Sequence, residues 1–508
     1  MSILSTGALE FARQHIDKFY DSDFFPKATE YTAIWHKWDE VVKELTSKNV
    51  GKLWVTAPRV MAAPKPRAGY RVVHQLEPLD AIVYTALSAE VAADIEAARV
   101  PASQKVACSY RFNLADGNFF SGGSGWSDFV ETTESLAKAY KYVLSTDITD
   151  FYNQIYLHRL SNAIEHANAK LKSVADDIEG FITALNTKAS QGVPVGPTAS
   201  IVMSEAVLID IDQFVQNAGF PHTRYVDDFR IFANSLPVLN QHLERLTLYL
   251  YEHHRLTVSS EKTRIQDAKE FVEKYLHNKV MEQKVQIFKT MAFFNPYTDE
   301  EEELEFEEDD EGEQLKAQVT LALDKLLNFS FVDLGLARSI IRTAKRNQLR
   351  DIAATLVQNF EFLAPVVNDV ILYLVEVHDE DLAKTLVPHF EKLLGTPAIG
   401  NQLVRYWLEW YLAREPLFLA NQAIRAFIFD GPNVDNQAKA AVTLKNVAWV
   451  RDHKTGIYNL GGWARRAVLD AARILPSDER THWLKLCIAN SPMSLDRWVA
   501  QWVLDTAK

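Results

Sequence analysis

The stretch TRYVDDFRIFA, residues 223–233, sets two adjacent aspartates, Asp227 and Asp228, inside a run otherwise suited to a β-strand. Tyr225, Val226, Phe229, Ile231 and Phe232 are aromatic or β-branched, the residue types that fill pleated, half-buried surfaces. A carboxylate pair between such flanks is costly unless it faces water, forms a tight turn or holds a cation. A second strand-like run, Tyr142-Val143-Leu144-Ser145-Thr146-Asp147-Ile148, also delivers a carboxylate at one end. Paired, the two strands would set Asp147 against Asp227 with Asp228 beside them, a cluster that repels itself unless cations neutralise it. Magnesium, or manganese in its place, takes such oxygen ligands. Two such ions would clamp the attacking and leaving oxygens of a phosphoryl transfer. The plainer alternative is an exposed hairpin turn, with Asp147 capping a helix.

A third element lies between the two strands. Gln191-Gly192-Val193-Pro194-Val195-Gly196-Pro197-Thr198-Ala199-Ser200 precedes the apolar run IVMSEAVLIDID. Glycines and prolines just ahead of a helix shape a fixed loop with open backbone, which a base or sugar can approach closely. A simple helix entry is the alternative.

Together, Asp147–Tyr152, the loop 191–200 and Tyr225-Val226-Asp227-Asp228 resemble the palm of reverse transcriptases, in that family's order and separation. Upstream, Pro64-Lys65-Pro66-Arg67-Ala68-Gly69-Tyr70-Arg71 and Leu76–Val83 resemble the fingers of bacterial members. Downstream, Leu256–Thr263 resembles the strand and Lys-Thr pair that close the palm. The resemblance spans about residues 55–295. It implies that Asp147, Asp227 and Asp228 are catalytic metal ligands and that Tyr152 is a steric gate favouring deoxynucleotides. It further implies that Lys65, Arg71 and Lys262 contact the triphosphate of an incoming dNTP, and that Gln191 and Gly192 line the floor under it.

Composition leaves room for this. The 508 residues suffice for two or three domains, and 47% hydrophobic with 24% charged content is ordinary for a globular chain. The net charge of −13 looks wrong for a nucleic-acid binder, yet residues 299–313 alone hold 12 acids and no base, leaving −1 for the rest. Two cysteines, Cys108 and Cys487, exclude a disulfide framework or a four-ligand zinc site. His158, His166 and the His253-His254 pair lack metal-site spacing and read as polar helix-face residues. Gly122-Gly123-Ser124-Gly125 lacks the Lys-Ser/Thr of a phosphate cradle and reads as a loop. Glu10 and Arg13 interrupt the N-terminal apolar stretch, so no signal peptide is expected, and no segment is long enough to span a bilayer. A soluble, cytoplasmic protein is expected.

The acidic run divides the chain. Before it, short β-rich pieces (YRVVHQL, KYVLSTDI, HTRYVDDFRIFA, RLTVSS) alternate with helical stretches around 79–99, 157–190 and 237–254. After it, apolar residues at three-and-four spacing predict successive amphipathic helices, with Pro365, Pro388, Pro397, Pro416 and Pro432 at helix ends. The expected fold is α+β, with reverse-transcriptase-like fingers and palm followed by an all-α HEAT-like domain in place of a thumb. The expected segments are an N-terminal helical segment 1–54, fingers and palm 55–297, an acidic linker 298–315 and a helical domain 316–508.

That arrangement, with Ser109–Phe112, Asn118–Phe120 and Ile155–His158, resembles the abortive-infection (Abi) reverse-transcriptase-like polymerases, prophage-borne bacterial phage-defence proteins. The resemblance implies DNA synthesis from dNTPs without a template, primed from a protein hydroxyl. It further implies a DNA product covalently attached to a homo-oligomeric enzyme; no membrane partner is expected. Tyr20 and Tyr31, ahead of the fingers, are candidate priming residues. The alternatives are an RNA-templated defence enzyme using a bound noncoding RNA, and a vestigial palm on a scaffold whose helical domain binds a protein partner.

Overall fold

A computed structural model describes residues 2–20, 22, 24–120, 125–276 and 311–507, and among them eight strands form three sheets. The strands β1 (Arg59–Pro64) and β2 (Tyr70–Gln75) form one hairpin, and β3 (Phe112–Ala115) and β4 (Asn118–Phe120) form another. The remaining four, β5 (Tyr142–Asp147), β6 (His222–Tyr225), β7 (Asp228–Ala233) and β8 (Arg264–Asp267), make an antiparallel sheet in the order β6-β7-β5-β8. The strands expected from YRVVHQL, KYVLSTDI and HTRYVDDFRIFA are present. RLTVSS is not a strand: Val258 makes an isolated bridge to Ile148, and the closing strand is β8, a few residues later. The acidic run lies outside the described residues as far as residue 310, as do residues 122–124 of the glycine loop; the run's end opens the helix Glu311–Leu327.

The chain separates into two compact units. The first comprises Met1–Asp23, Val42–Arg59 and His74–Glu305, the second Phe24–Val41, Val60–Val73 and Phe306–Lys508. In the first, Val143, Phe232, Ala268 and Phe271 close one core cluster with Ala137. The helices Pro78–Ala98 and Thr198–Asn217 pack against each other, each apolar on nearly every side and therefore buried over most of its length. Between 157 and 190 the expected helix is two, Leu157–Ala167 and Lys172–Leu185.

Two buried histidines of this unit carry an acid sensitivity. His15 is 2% exposed, donates from Nδ1 to the Gly117 carbonyl at 2.7 Å, and is held by burial at a pKa of about 4. His242, 1% exposed against Phe214 and Phe220, is likewise held at about 4 by burial. Each native pKa lies below the unfolded value of 6.5. The unfolded chain therefore takes up the proton first, and stability falls as pH drops from about 6.5 to 4, by roughly 3 kcal/mol per histidine. We expect His242→Phe, apolar among apolar neighbours, to flatten that slope. Urea unfolding at pH 7 and pH 4.5 measures it.

In the second unit several helices pack on the one two before them, as Leu334–Arg346 with Val367–Glu376, that helix with Gln402–Leu412, and Gly462–Ala471 with Ser494–Thr506, while others, such as Ser477–Asn490 and Ser494–Thr506, pack on their immediate neighbour. Pro388 does not end a helix as expected; it sits inside Glu380–Leu393. Short pieces from early in the chain belong to this unit. The Trp407 indole donates to the Phe24 carbonyl at 2.8 Å, buried Arg466 pairs with Glu30 at 2.9 Å, and Asn401 donates to the Ala62 carbonyl at 2.8 Å. Among the described residues no helix is long and apolar enough to cross a membrane. Cys108 and Cys487 are both free and buried.

Candidate active site

Strands β6 and β7 are joined by a two-residue turn. Tyr225 pairs with Asp228, leaving Val226 and Asp227 at the tip. Val226 has φ +51°, a left-handed conformation that β-branched residues avoid. Two buried groups hold it there: the Ser109 hydroxyl accepts from the Val226 N–H at 2.9 Å, and Arg224 donates to the Val226 carbonyl at 2.9 Å. Local backbone strain of this kind persists only where the surroundings over-determine it.

Those surroundings are a buried charge network. The Arg224 guanidinium, 0% exposed, contacts Asp212 at 2.8 and 2.7 Å and Glu205 at 3.2 and 2.9 Å. Arg99 meets Glu205 at 2.9 Å and donates to the Ser109 and Tyr110 carbonyls, while the Ser109 hydroxyl donates to Glu205 at 2.9 Å. Burial opposes the charge on both carboxylates. The adjacent guanidiniums outweigh it, holding Glu205 and Asp212 below the usual carboxylate range, while Asp212 and Glu205 raise Arg224 in turn.

Above this base the expected carboxylates assemble. β5 and β7 pair in a register that sets Asp147 directly opposite Asp228, and the Ile148 N–H bonds the Asp227 carbonyl at 3.1 Å. Asp147 therefore faces Asp228 and not Asp227 as expected, because the strand β7 begins at Asp228 and Asp227 is taken up in the turn. Burial, then the Asp147 charge, pushes Asp227 up to about 6; burial likewise raises Asp228 despite Arg230. Two cations relieve the repulsion. Lys262 Nζ lies 2.9 Å from Asp147, and Arg230, seated between the Phe129 and Phe271 rings, bonds Asp228. Among the described residues no three acidic, histidine or cysteine side chains are drawn together as a metal cage. The donor set nonetheless suits a hard divalent cation: all three groups are carboxylates, and Asp227 carries charge that burial and Asp147 leave under-compensated.

The loop ahead of the helix Thr198–Asn217 folds back onto residues 152–155, which follow the first carboxylate in the chain. Gly192 has φ +92° and donates to the Ile155 carbonyl at 2.8 Å; a Cβ there would meet the Asn153 carbonyl at 3.2 Å. Val193 donates to the Tyr152 carbonyl at 2.9 Å, and the Gln191 amide donates to Gln154 Oε1 at 2.7 Å. Tyr152, half-buried, takes a long bond from Ser204 at 3.4 Å, and burial raises its hydroxyl pKa. Asp147, Tyr152, Gln191, Gly192, Asp227, Asp228 and Lys262 thus all belong to the first unit.

Lys65 and Arg71 do not. Both are exposed and lie on the β1–β2 hairpin where it belongs to the second unit. Tyr20, half-buried, accepts from the Gln75 amide at 3.0 Å, whereas Tyr31 is 2% exposed and stacks on Trp35. A primer hydroxyl at Tyr31 would have to leave that seat.

Residues 63–291 match the family model described as Reverse transcriptase (RNA-dependent DNA polymerase). This segment is a reverse-transcriptase-like domain. No curated relative matches the chain. Solved structures similar to it include telomerase from Candida albicans with a fragment of telomeric RNA, at 13% identity and TM-score 0.33, covering 74% of this chain and 70% of that one. Telomerase from Candida tropicalis with the equivalent fragment is 14% identical at TM-score 0.36, covering 76% and 70%; its apo form is 13% identical at 0.34, covering 74% of each.

Sequence reasoning missed Arg224, Glu205, Asp212 and Arg230 in the reverse-transcriptase-like domain. A signal existed for two of them: Glu205 and Asp212 are, with Asp210, the charged residues of an otherwise apolar stretch, IVMSEAVLIDID, and charges there need a partner.

Proposed function

We propose that the chain is a nucleotidyltransferase making DNA from dNTPs without a template, primed from a protein hydroxyl and covalently attached to its product, in abortive-infection defence against phage. The observation that carries the transferase reading is Asp147 opposed to Asp228 across one strand register, with Asp227 on the adjoining strained turn. The finer reading draws on the motifs Ser109–Phe112 and Ile155–His158 and on a run of paired helices, proposed to be HEAT-like, where a thumb would follow.

In this reading Asp147, Asp227 and Asp228 hold magnesium or manganese, which supplies charge neutralisation at the transferring phosphoryl group. Lys262, 65% exposed and ion-paired to Asp147, swings from the carboxylate to the triphosphate when the nucleotide enters. Gly192 keeps the loop backbone close enough to floor the sugar. Tyr152 excludes a 2′-hydroxyl by bulk, its ring fixed by the Val193 backbone bond and the Ser204 contact. Lys65 and Arg71 are proposed triphosphate contacts, Tyr20 and Tyr31 proposed primers, and the enzyme a homo-oligomer of the bacterial cytoplasm.

Tyr152→Ala should relax sugar discrimination at least tenfold, read as the dNTP/NTP incorporation ratio. An unchanged ratio removes the gate assignment.

The test of the whole is incubation of purified protein with magnesium and labelled dNTPs but no nucleic acid, then boiling in detergent. Label travelling with the protein band supports template-free, protein-primed synthesis. The description of the matching family as RNA-dependent favours a second reading, templated synthesis on a bound noncoding RNA. Activity only after an RNA template and primer are added would select it.

A further inference from the structure

The first unit carries an open surface pocket of about 420 Å³, lined by exposed side chains, that the proposed chemistry does not use. One wall is Tyr156, Arg159 and Asn162, at the start of the helix Leu157–Ala167; the other is Glu252, His253 and Arg255, in the turn after the helix Leu236–Tyr249. Two guanidiniums and the imidazoles of His158 and His253 therefore line the space with a single carboxylate. Among the described residues neither Arg159 nor Arg255 has a carboxylate within ion-pair distance, whereas neighbouring His158 is already held by Glu179 at 3.4 Å. The Arg255 backbone is fixed, with φ +59° and its N–H donating to the Tyr251 carbonyl at 3.2 Å, and its exposed guanidinium lies 4.8 Å from the Tyr251 ring centre.

The space is within the range that holds small ligands, roughly 300–1,000 Å³. Unneutralised guanidinium forks select phosphate. Tyr156, 40% exposed, offers a ring for a base to stack on, and the Asn162 amide a hydrogen-bonding edge. Both walls run into the candidate active site. Tyr156 bridges Gln191, Leu157 donates to the Ser190 carbonyl at 3.0 Å, and Thr257, two residues after Arg255, accepts from the Thr149 N–H at 2.9 Å.

We infer that this pocket is a nucleotide-phosphate site separate from the carboxylate cluster, with Arg159 and Arg255 taking the phosphate and Tyr156 the base. Only the choice of ligand rests on the transferase reading. A free nucleoside triphosphate and a nucleotide unit of a single strand share this chemistry, and the experiment separates them.

With divalent cations chelated, binding of labelled dTTP and of a fluorescent ten-residue oligo-dT to the full chain is compared with binding to Arg159→Glu, Arg255→Gln and Tyr156→Ala. At least tenfold weaker binding of either probe in Arg159→Glu, with a smaller loss in the other two, supports the site. Loss for dTTP alone assigns a free nucleotide, and loss for the oligonucleotide alone a strand. Binding that is unchanged for both probes in both arginine variants, or absent from the unaltered protein, overturns it. Asp227→Asn with Asp228→Asn is the control. A nucleotide held only at the carboxylate cluster is disturbed there and untouched by Arg159→Glu, so this inference and the transferase reading fail separately.

Discussion

Asp227→Ala with Asp228→Ala should lower nucleotide incorporation by roughly a thousandfold or more, the loss of several kcal/mol of charge stabilisation at the transferring phosphoryl group. The fold should survive, because these carboxylates oppose it. Asp227 has a native pKa of about 6 against an ordinary 3.8, so between those values the folded protein holds a proton that the unfolded chain has released. Stability contributed by this group therefore falls as pH rises from 3.8 to 6, and at neutral pH the ionised side chain costs on the order of 1–2 kcal/mol once its partial exposure is allowed for. Asp227→Asn should recover that amount at pH 7 in chelator. Magnesium should raise the melting temperature of the unaltered chain and leave the double alanine variant unmoved. Incorporation retained in the double variant would remove the carboxylate argument, and a destabilised Asp227→Asn would remove the electrostatic one.

Arg224→Met should destabilise the reverse-transcriptase-like domain by about 3–5 kcal/mol, because it strips buried Asp212 of its guanidinium and leaves buried Glu205 with Arg99 as its one remaining cation. Arg224→Lys should recover little, since one ammonium cannot span two carboxylates and also reach the Val226 carbonyl. Separating stability from function needs a milder change on the same network. Ser109→Ala removes the acceptor for the Val226 N–H and should cost only about 1 kcal/mol while lowering incorporation, as the turn relaxes and carries Asp227 with it. Val226→Gly removes the left-handed strain and should stabilise by about 1 kcal/mol at the expense of rate. Urea unfolding and incorporation assays on the four variants give both readouts. Equal stability in Arg224→Met and the unaltered protein would show the network to be dispensable.

Much of the candidate site was legible because its signals are local. β-Branched and aromatic residues around Asp227 and Asp228 define two short strands and the tight turn between them, since strand preference is a property of neighbouring side chains on one pleated surface. Glycine at 192 marks a loop because only glycine takes its φ readily and comes so close to Asn153. The apolar helices Pro78–Ala98 and Thr198–Asn217 declared their own burial.

Other features depend on groups far apart in the chain. Nothing local to Asp147 sets its register against Asp228, 81 positions later; the ladder of β5 with β7 decides it. Arg99, Ser109, Glu205, Asp212 and Arg224 come from separate segments, and only tertiary packing makes them one desolvated network whose charges must balance. The side chains that neutralise Asp147 and Asp228 are fixed in the same way, by the arrival of Lys262 and Arg230. Likewise, Val60–Val73 carries a hairpin's alternation in its own residues, but its membership of the second unit follows from contacts such as that of Asn401 with Ala62. The sequence by itself determined the strands, the turn and the three carboxylates, because short-range propensity and composition specify these. The tertiary structure alone decided which carboxylates face each other and which buried charges hold the turn, because those depend on register and on a low-dielectric interior assembled from distant segments.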